Sequence, residues 1–151
     1  MWKTYRSMIR QYPRVSLQEE RRLIRQAKKG SKKAADELVL RHVGFVIFRI
    51  HKRAFPAYVK RFGEDILSQA ISVLYSKIKT YNLRYYDRKG KFKPVRFSSY
   101  IWKRIDGLIL DALKKEIQSE KFQKQPNWER FDCAQKETYD ELFEWISGEN
   151  H

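Results

Sequence analysis

RFSSYIWKRIDGLILDALKKE, residues 96–116, decides the fold class. At about 100° per residue, Ile101, Ile105, Leu108, Ile109 and Ala112 gather on one side of a helix and read as its core face. Tyr100, Lys103, Gly107, Leu110 and Lys114 fall on the opposite side, with Arg104 and Asp111 at its edge. A helix that only filled a core would need neither an aromatic and hydroxyl cluster at its start nor a basic outer face. Gly107 in mid-helix costs roughly 1 kcal/mol against Ala, and close approach of another body accounts for it.

Upstream, the same period recurs. Ser16-Leu17-Gln18-Glu19 has the form of a capping box, with Ser16 at the N-cap and Glu19 at the third helical position. Leu17, Ile24 and Ala27 follow at helical spacing, and Gly30 ends the helix. Ser31 caps a second helix whose stripe runs Ala35, Leu38, Val39, His42, Val43, Val46, Ile47 and Ile50; Pro56 stops it by about Ala54. A third helix is expected from about Glu64, after Gly63, with Leu67, Ala70, Ile71, Leu74 and Ile78 on its apolar face and Asp65, Ser68, Gln69, Ser72 and Tyr75 largely off it. NLRYYDRKGKFKPVR, residues 82–96, reads as a loop or irregular turn, and the quoted helix is expected from about Ser98 to Ile117. No strand pattern of any length and no internal repeat appears. The expected fold is all-α, with about four helices in a compact body over 16–117, an arm over 1–15, and a linker with an acidic tail over 118–151.

Charge narrows the function. The chain carries 33 Lys and Arg against 18 Asp and Glu, a net +15. Residues 127–151 hold seven acids and two bases, so a body of net +20 precedes a tail of net −5. A basic body implies a polyanionic partner, and the tail implies another. The loop 82–96 holds six bases, Arg84, Arg88, Lys89, Lys91, Lys93 and Arg96, one acid, and the aromatics Tyr85, Tyr86 and Phe92. Aromatics interleaved with bases suit single-stranded nucleic acid, stacking on bases while cations track the backbone.

Other classes find little support. A hydrophobic fraction of 42% and an aromatic fraction of 15% exclude a disordered chain. Cys133 is the one cysteine, so no internal disulfide can form and a reducing compartment is expected. MWKTYRSMIRQYPRV is too polar for a secretory segment, and no stretch approaches the roughly 18 apolar residues of a membrane span. A soluble, cytoplasmic protein with no membrane partner is expected. His42, His51 and His151 lack metal-ligand spacing, no glycine-rich phosphate loop is present, and Cys133 has no base nearby in sequence. The expectation is no enzyme, no cofactor and no metal; His42, on an apolar stripe, reads as a core or boundary histidine.

These parts, in this order, resemble region 2 of the sigma-70 family of bacterial transcription initiation factors. SLQEERRLIRQAKKGSKKAADELVLRHVGFVIFRI resembles its first helices, and DILSQAISVLYSKIKTYN, residues 65–82, its DLIQEG-type helix. FSSY, Phe97–Tyr100, matches the motif at which promoters are melted, and RIDGLILDALKKE resembles the form found in flagellar-type and other alternative factors. The similarity covers about residues 16–117. It implies that Asp65, Ser68, Gln69, Ser72 and Tyr75 dock the coiled coil of the β′ subunit of core RNA polymerase. It implies that Phe97, Ser98, Ser99 and Tyr100 open a −10-like promoter element and capture a flipped base of the non-template strand. Lys103 and Arg104 stand where primary factors carry a paired Trp wedge, Gly107 and Leu110 where they read the element's upstream edge, and Gln69 where they have Glu. With Lys114 and the basic loop, these positions make up the expected DNA surface.

After Glu116 only 35 residues follow, too few for the usual promoter-reading helix-turn-helix domain. In this the chain is most similar to short stand-alone factors and to the late-gene sigma factors of T-even-type bacteriophages, which act in the infected bacterial cell and use a hydrophobic-acidic C-terminal motif to bind the sliding clamp. Leu142, Phe143, Trp145 and Ile146, set among acids, supply comparable content. The clamp or another polymerase-associated protein is the implied tail partner; packing back on the body, or masking of the DNA surface, stands beside it. Two other functions remain open at this point: a polymerase-independent single-strand binder, and a sigma-like polymerase inhibitor.

Overall fold

The computed structural model describes residues 2–120. Among them the fold is all-α, with six helices: α1 (Lys3–Gln11), α2 (Leu17–Lys28), α3 (Lys32–Leu40), α4 (Val43–Arg53), α5 (Pro56–Thr80) and α6 (Phe97–Glu120). The sole β pairing among the described residues is an isolated antiparallel bridge between Tyr86 and Phe92. The chain divides into two compact units. Among the described residues, one holds Trp2–Val43 with Ile71–Trp102, the other Gly44–Ala70 with residues 103–120. Each is described by itself.

In the first unit, local chemistry sets the boundaries of α2 and α3. Ser16 Oγ accepts the Glu19 N–H at 3.2 Å, as its capping role requires, while the Glu19 carboxylate takes the Arg22 guanidinium. At the other end, Gly30 adopts φ 105°. Its N–H donates to Ala27 O and the Ser31 N–H to Gln26 O, each at 3.0 Å, which closes α2 in a Schellman turn that favours glycine. Ser31 then caps α3 by accepting the Ala34 N–H at 3.2 Å. The first 15 residues contain α1, held by Trp2 and Ile9, each 9% exposed. Arg41 ties down the turn that follows, lying over the Tyr12 ring and donating to Pro13 O at 2.8 Å. Leu23, Ile24, Leu38, Val39, Leu74, Ile78, Phe97 and Ile101 form the buried core.

One expected helix is two. The apolar stripe from Ala35 to Ile50 runs on unbroken, but α3 stops at Leu40 and α4 starts at Val43. The cause is His42. In a continuous helix Leu38 O would receive the His42 backbone N–H. Here the imidazole Nδ1–H donates to Leu38 O at 2.7 Å, and the backbone N–H turns to Val39 O at 2.9 Å. A side chain has taken a main-chain partner and broken the ladder. His42 is 6% exposed, and burial pulls its pKa below the ordinary histidine value.

In the second unit, α5 begins at Pro56, not near Glu64 as its sequence implied. Proline fits the first helical position because the N–H it lacks would have no helical partner there. Tyr58, Val59, Gly63, Ile66, Leu67 and Ala70 are all buried, so the stripe passes straight through a glycine that sequence alone reads as a boundary. α6 likewise starts one residue early, at Phe97, and extends through Glu120. Asp106 on α6 is 5% exposed and bound twice by Arg49 and once by Arg53, whose Nε lies 2.9 Å from Oδ2. Burial alone would raise its pKa; the arginine hydrogen bonds outweigh it and hold the carboxyl below the usual range. His51, 5% exposed on α4, is pulled down to about 4 by burial.

Candidate nucleic-acid interface

The start of α6 is set by a residue 77 positions earlier in the sequence. Glu20 on α2 is 1% exposed, and its carboxylate accepts the Phe97 backbone N–H. A buried carboxylate at a helix N-terminus satisfies an orphan donor and complements the helix dipole. Arg96 completes the cluster, with Nη2 3.0 Å from Glu20 and 2.8 Å from Val15 O. Its Nε is buried without an acceptor, a penalty that the ion pair must offset. Arg96 therefore departs from the phosphate-contacting role read from the loop's basic run: its guanidinium serves the fold.

Phe97 also departs from expectation. It is 0% exposed, its ring edge-on to His42 at 5.0 Å and tilted against Tyr81 at 6.2 Å. The aromatic that reaches the surface is Tyr100. Its ring meets Tyr81 edge-on at 5.5 Å, and Lys77 Nζ stands 5.2 Å from its centroid. The Thr80 hydroxyl, which donates to Lys77 O, lies 2.8 Å from the Tyr100 hydroxyl, so the tyrosine donates. Tyr81 is itself fixed by donating its O–H to Val95 O. Ser99 is exposed and Ser98 half-buried. The FSSY segment thus divides into one core ring, two hydroxyls and one oriented, half-buried phenol.

Residues 82–96 are ordered into a hairpin. Asp87 N–H donates to Lys91 O at 2.8 Å and Lys93 N–H to Tyr85 O at 3.0 Å, around a turn in which Gly90 takes φ 78°. Asp87 Oδ1 accepts the N–H groups of Lys89 and Lys91, each at 2.9 Å, and is the turn's internal brace. Arg84, Arg88, Lys89, Lys91 and Lys93 are all exposed. So are Tyr85, Tyr86 and Phe92, at 44%, 58% and 51%.

The other expected site residues lie as follows. On the part of α5 in this unit, Ser72 and Tyr75 are exposed; Tyr75 donates to Asp36 Oδ1 at 2.6 Å, and burial followed by that bond pushes its pKa up to about 12. In the second unit Asp65, Ser68 and Gln69 are exposed on α5, and Lys103, Arg104 and Lys114 on α6. Gly107 is half-buried, and a Cβ built on it would meet nothing within 4 Å, so no neighbour in the described chain demands the glycine. Gln69, Arg104, Leu108, Asp111 and Lys115 line a groove of about 280 Å³, which brings an expected polymerase contact beside an expected DNA contact. Leu142, Phe143, Trp145 and Ile146 lie outside the described residues. Sequence reading passed over Glu20, Lys77 and Thr80. Glu20 did leave a signal: it falls three residues after Leu17 and four before Ile24, a charge on an apolar stripe.

Among the described residues, no group of three His, Cys, Asp or Glu side chains is placed to hold a metal ion, and no helix is long and apolar enough to cross a membrane. The chain matches no protein-family model, no curated protein and no solved structure.

Proposed function

We propose that the chain is a sigma-like transcription initiation factor that binds core RNA polymerase and opens a −10-like promoter element. The observation that carries the reading is Tyr100: a half-buried ring at the start of a helix, oriented by Thr80 and Tyr81, in the same unit as a hairpin bearing five exposed cations. In this reading Tyr100 receives a base flipped from the non-template strand, with Ser98 and Ser99 bonding the adjoining backbone. Unstacking a base costs a few kcal/mol. Stacking on an aromatic returns roughly 1–3 kcal/mol, and Arg84, Arg88, Lys89, Lys91 and Lys93 add phosphate contacts. Melting is then strand separation driven by binding energy, with no covalent step. The exposed Asp65, Ser68, Gln69, Ser72 and Tyr75 on α5 supply the β′ contact. Lys103, Arg104 and Lys114, on the other unit, make DNA contacts of their own, and the acidic C-terminal tail serves the sliding clamp or another polymerase-associated protein. Such a factor acts in the cytoplasm of a bacterium or of a phage-infected cell.

The test is binding of a mismatched-bubble duplex by core polymerase plus the chain. Tyr100→Ala is expected to lower that affinity about 5- to 150-fold, one lost stacking interaction, with core binding unchanged. Unaltered bubble binding by the variant would contradict the assignment. A second reading, a single-strand binder that needs no polymerase, is favoured by the exposed rings of the hairpin.

A further inference from the structure

We propose that the hairpin Tyr85–Lys93 is a nucleobase-stacking site in its own right, in which the open face of Tyr86 takes one unpaired base while the flanking cations hold the adjoining phosphates. The inference rests on reading this surface as a single-strand interface; it does not depend on polymerase.

Three exposed aromatic rings on one short hairpin call for a partner, since large apolar groups left in water on a built surface mark an interaction site. The rings are presented by structure. Tyr86 and Phe92 face each other at the β bridge, centroids 5.8 Å apart and planes at 60°. One face of Phe92 is backed by the Arg21 guanidinium, 5.3 Å from its centroid, and that guanidinium is fixed by donating to Leu83 O at 2.7 Å. Phe92 is therefore a braced neighbour for Tyr86, and Tyr86, the most exposed of the three at 58%, leaves the most surface for a ligand.

Charge identifies the ligand. Residues 84–93 carry five cations and one acid, Asp87. The Oδ1 of that acid is occupied by the turn's own N–H groups, and five cations against one carboxylate leave the segment strongly positive. A flat aromatic face beside a row of cations matches a strand with exposed base faces and a phosphate at every step. Paired DNA hides those faces, so the site selects unpaired strands. An anionic lipid surface would want a contiguous apolar face to bury. Here every ring is flanked by charge, and no aliphatic side chain stands among residues 84–93.

The full chain is titrated, without polymerase and at low salt, with a fluorescent ten-nucleotide oligothymidylate, with an abasic deoxyribose-phosphate strand of equal length, and with phosphatidylglycerol vesicles. The wild type is expected to prefer the base-bearing strand. Tyr86→Ala should weaken that binding about 5- to 150-fold and leave the abasic strand unchanged, whereas Tyr86→Phe should bind like the wild type. Failure of the wild type to bind oligothymidylate, equal losses on both strands, no loss on either, or a defect confined to vesicles would each overturn the proposal. Its failure would leave the polymerase partnership untouched, and loss of that partnership would leave these titrations as they are.

Discussion

Glu20 ties α2 to the start of α6 through a single buried carboxylate. Its carboxylate, 1% exposed, closes the α6 N-terminus at Phe97 and neutralises Arg96. Removing one partner of a buried ion pair strands the other, at a cost of about 3–5 kcal/mol. Glu20→Ala should therefore destabilise the chain by about 3 kcal/mol in chemical denaturation, with Arg96 still partly hydrated, and Glu20→Gln by less, since the amide oxygen can still accept the Phe97 N–H. A denaturation midpoint unmoved by Glu20→Ala would contradict the capping role. At this scale sequence was least legible. Arg96 and Phe97 read like the exposed residues around them because a surface cation and a paired one, or a stacking ring and a core ring, look alike in a one-dimensional pattern. Their burial is decided by Glu20 on α2 and by His42 in the turn between α3 and α4, both far away in sequence.

Helices were legible where an apolar stripe is continuous and illegible where a boundary depends on a contact. The core positions Ile101, Ile105 and Ile109 of α6 and Leu67, Ala70 and Leu74 of α5 follow from period alone, and all are buried. The break at His42 does not, because it needs an imidazole to reach one carbonyl. The start of α5 was displaced by giving Pro56 and Gly63 their usual meanings as breakers, whereas one sits where proline is tolerated and the other inside a buried face. Gly107 poses the opposite case. Its Cβ would meet nothing within 4 Å, so Gly107→Ala should stabilise α6 by about 1 kcal/mol. If a partner approaches the helix there, the same variant will melt at higher temperature yet bind core polymerase or bubble DNA more weakly. A variant that is more stable and binds equally well would remove Gly107 from the interface.

For the molecule as a whole, charge and helical class were legible in composition and period, and the all-α fold follows from them. The body's net +20 is a sequence property, and its exposed share is concentrated in part on a hairpin whose order was hidden, because a turn braced by Asp87 and Gly90 reads as loop when strands are this short. A sigma-like factor must hold core RNA polymerase. The most direct measurement is co-purification of the full chain with bacterial core polymerase, wild type beside Asp65→Lys, an exposed position on α5 where reversal of charge disturbs no described contact. The expected result is a stable wild-type complex, lost or weakened at least about tenfold in Asp65→Lys, which is about 1.4 kcal/mol at one contact. A wild-type chain that binds free single strands and passes core polymerase by would contradict it.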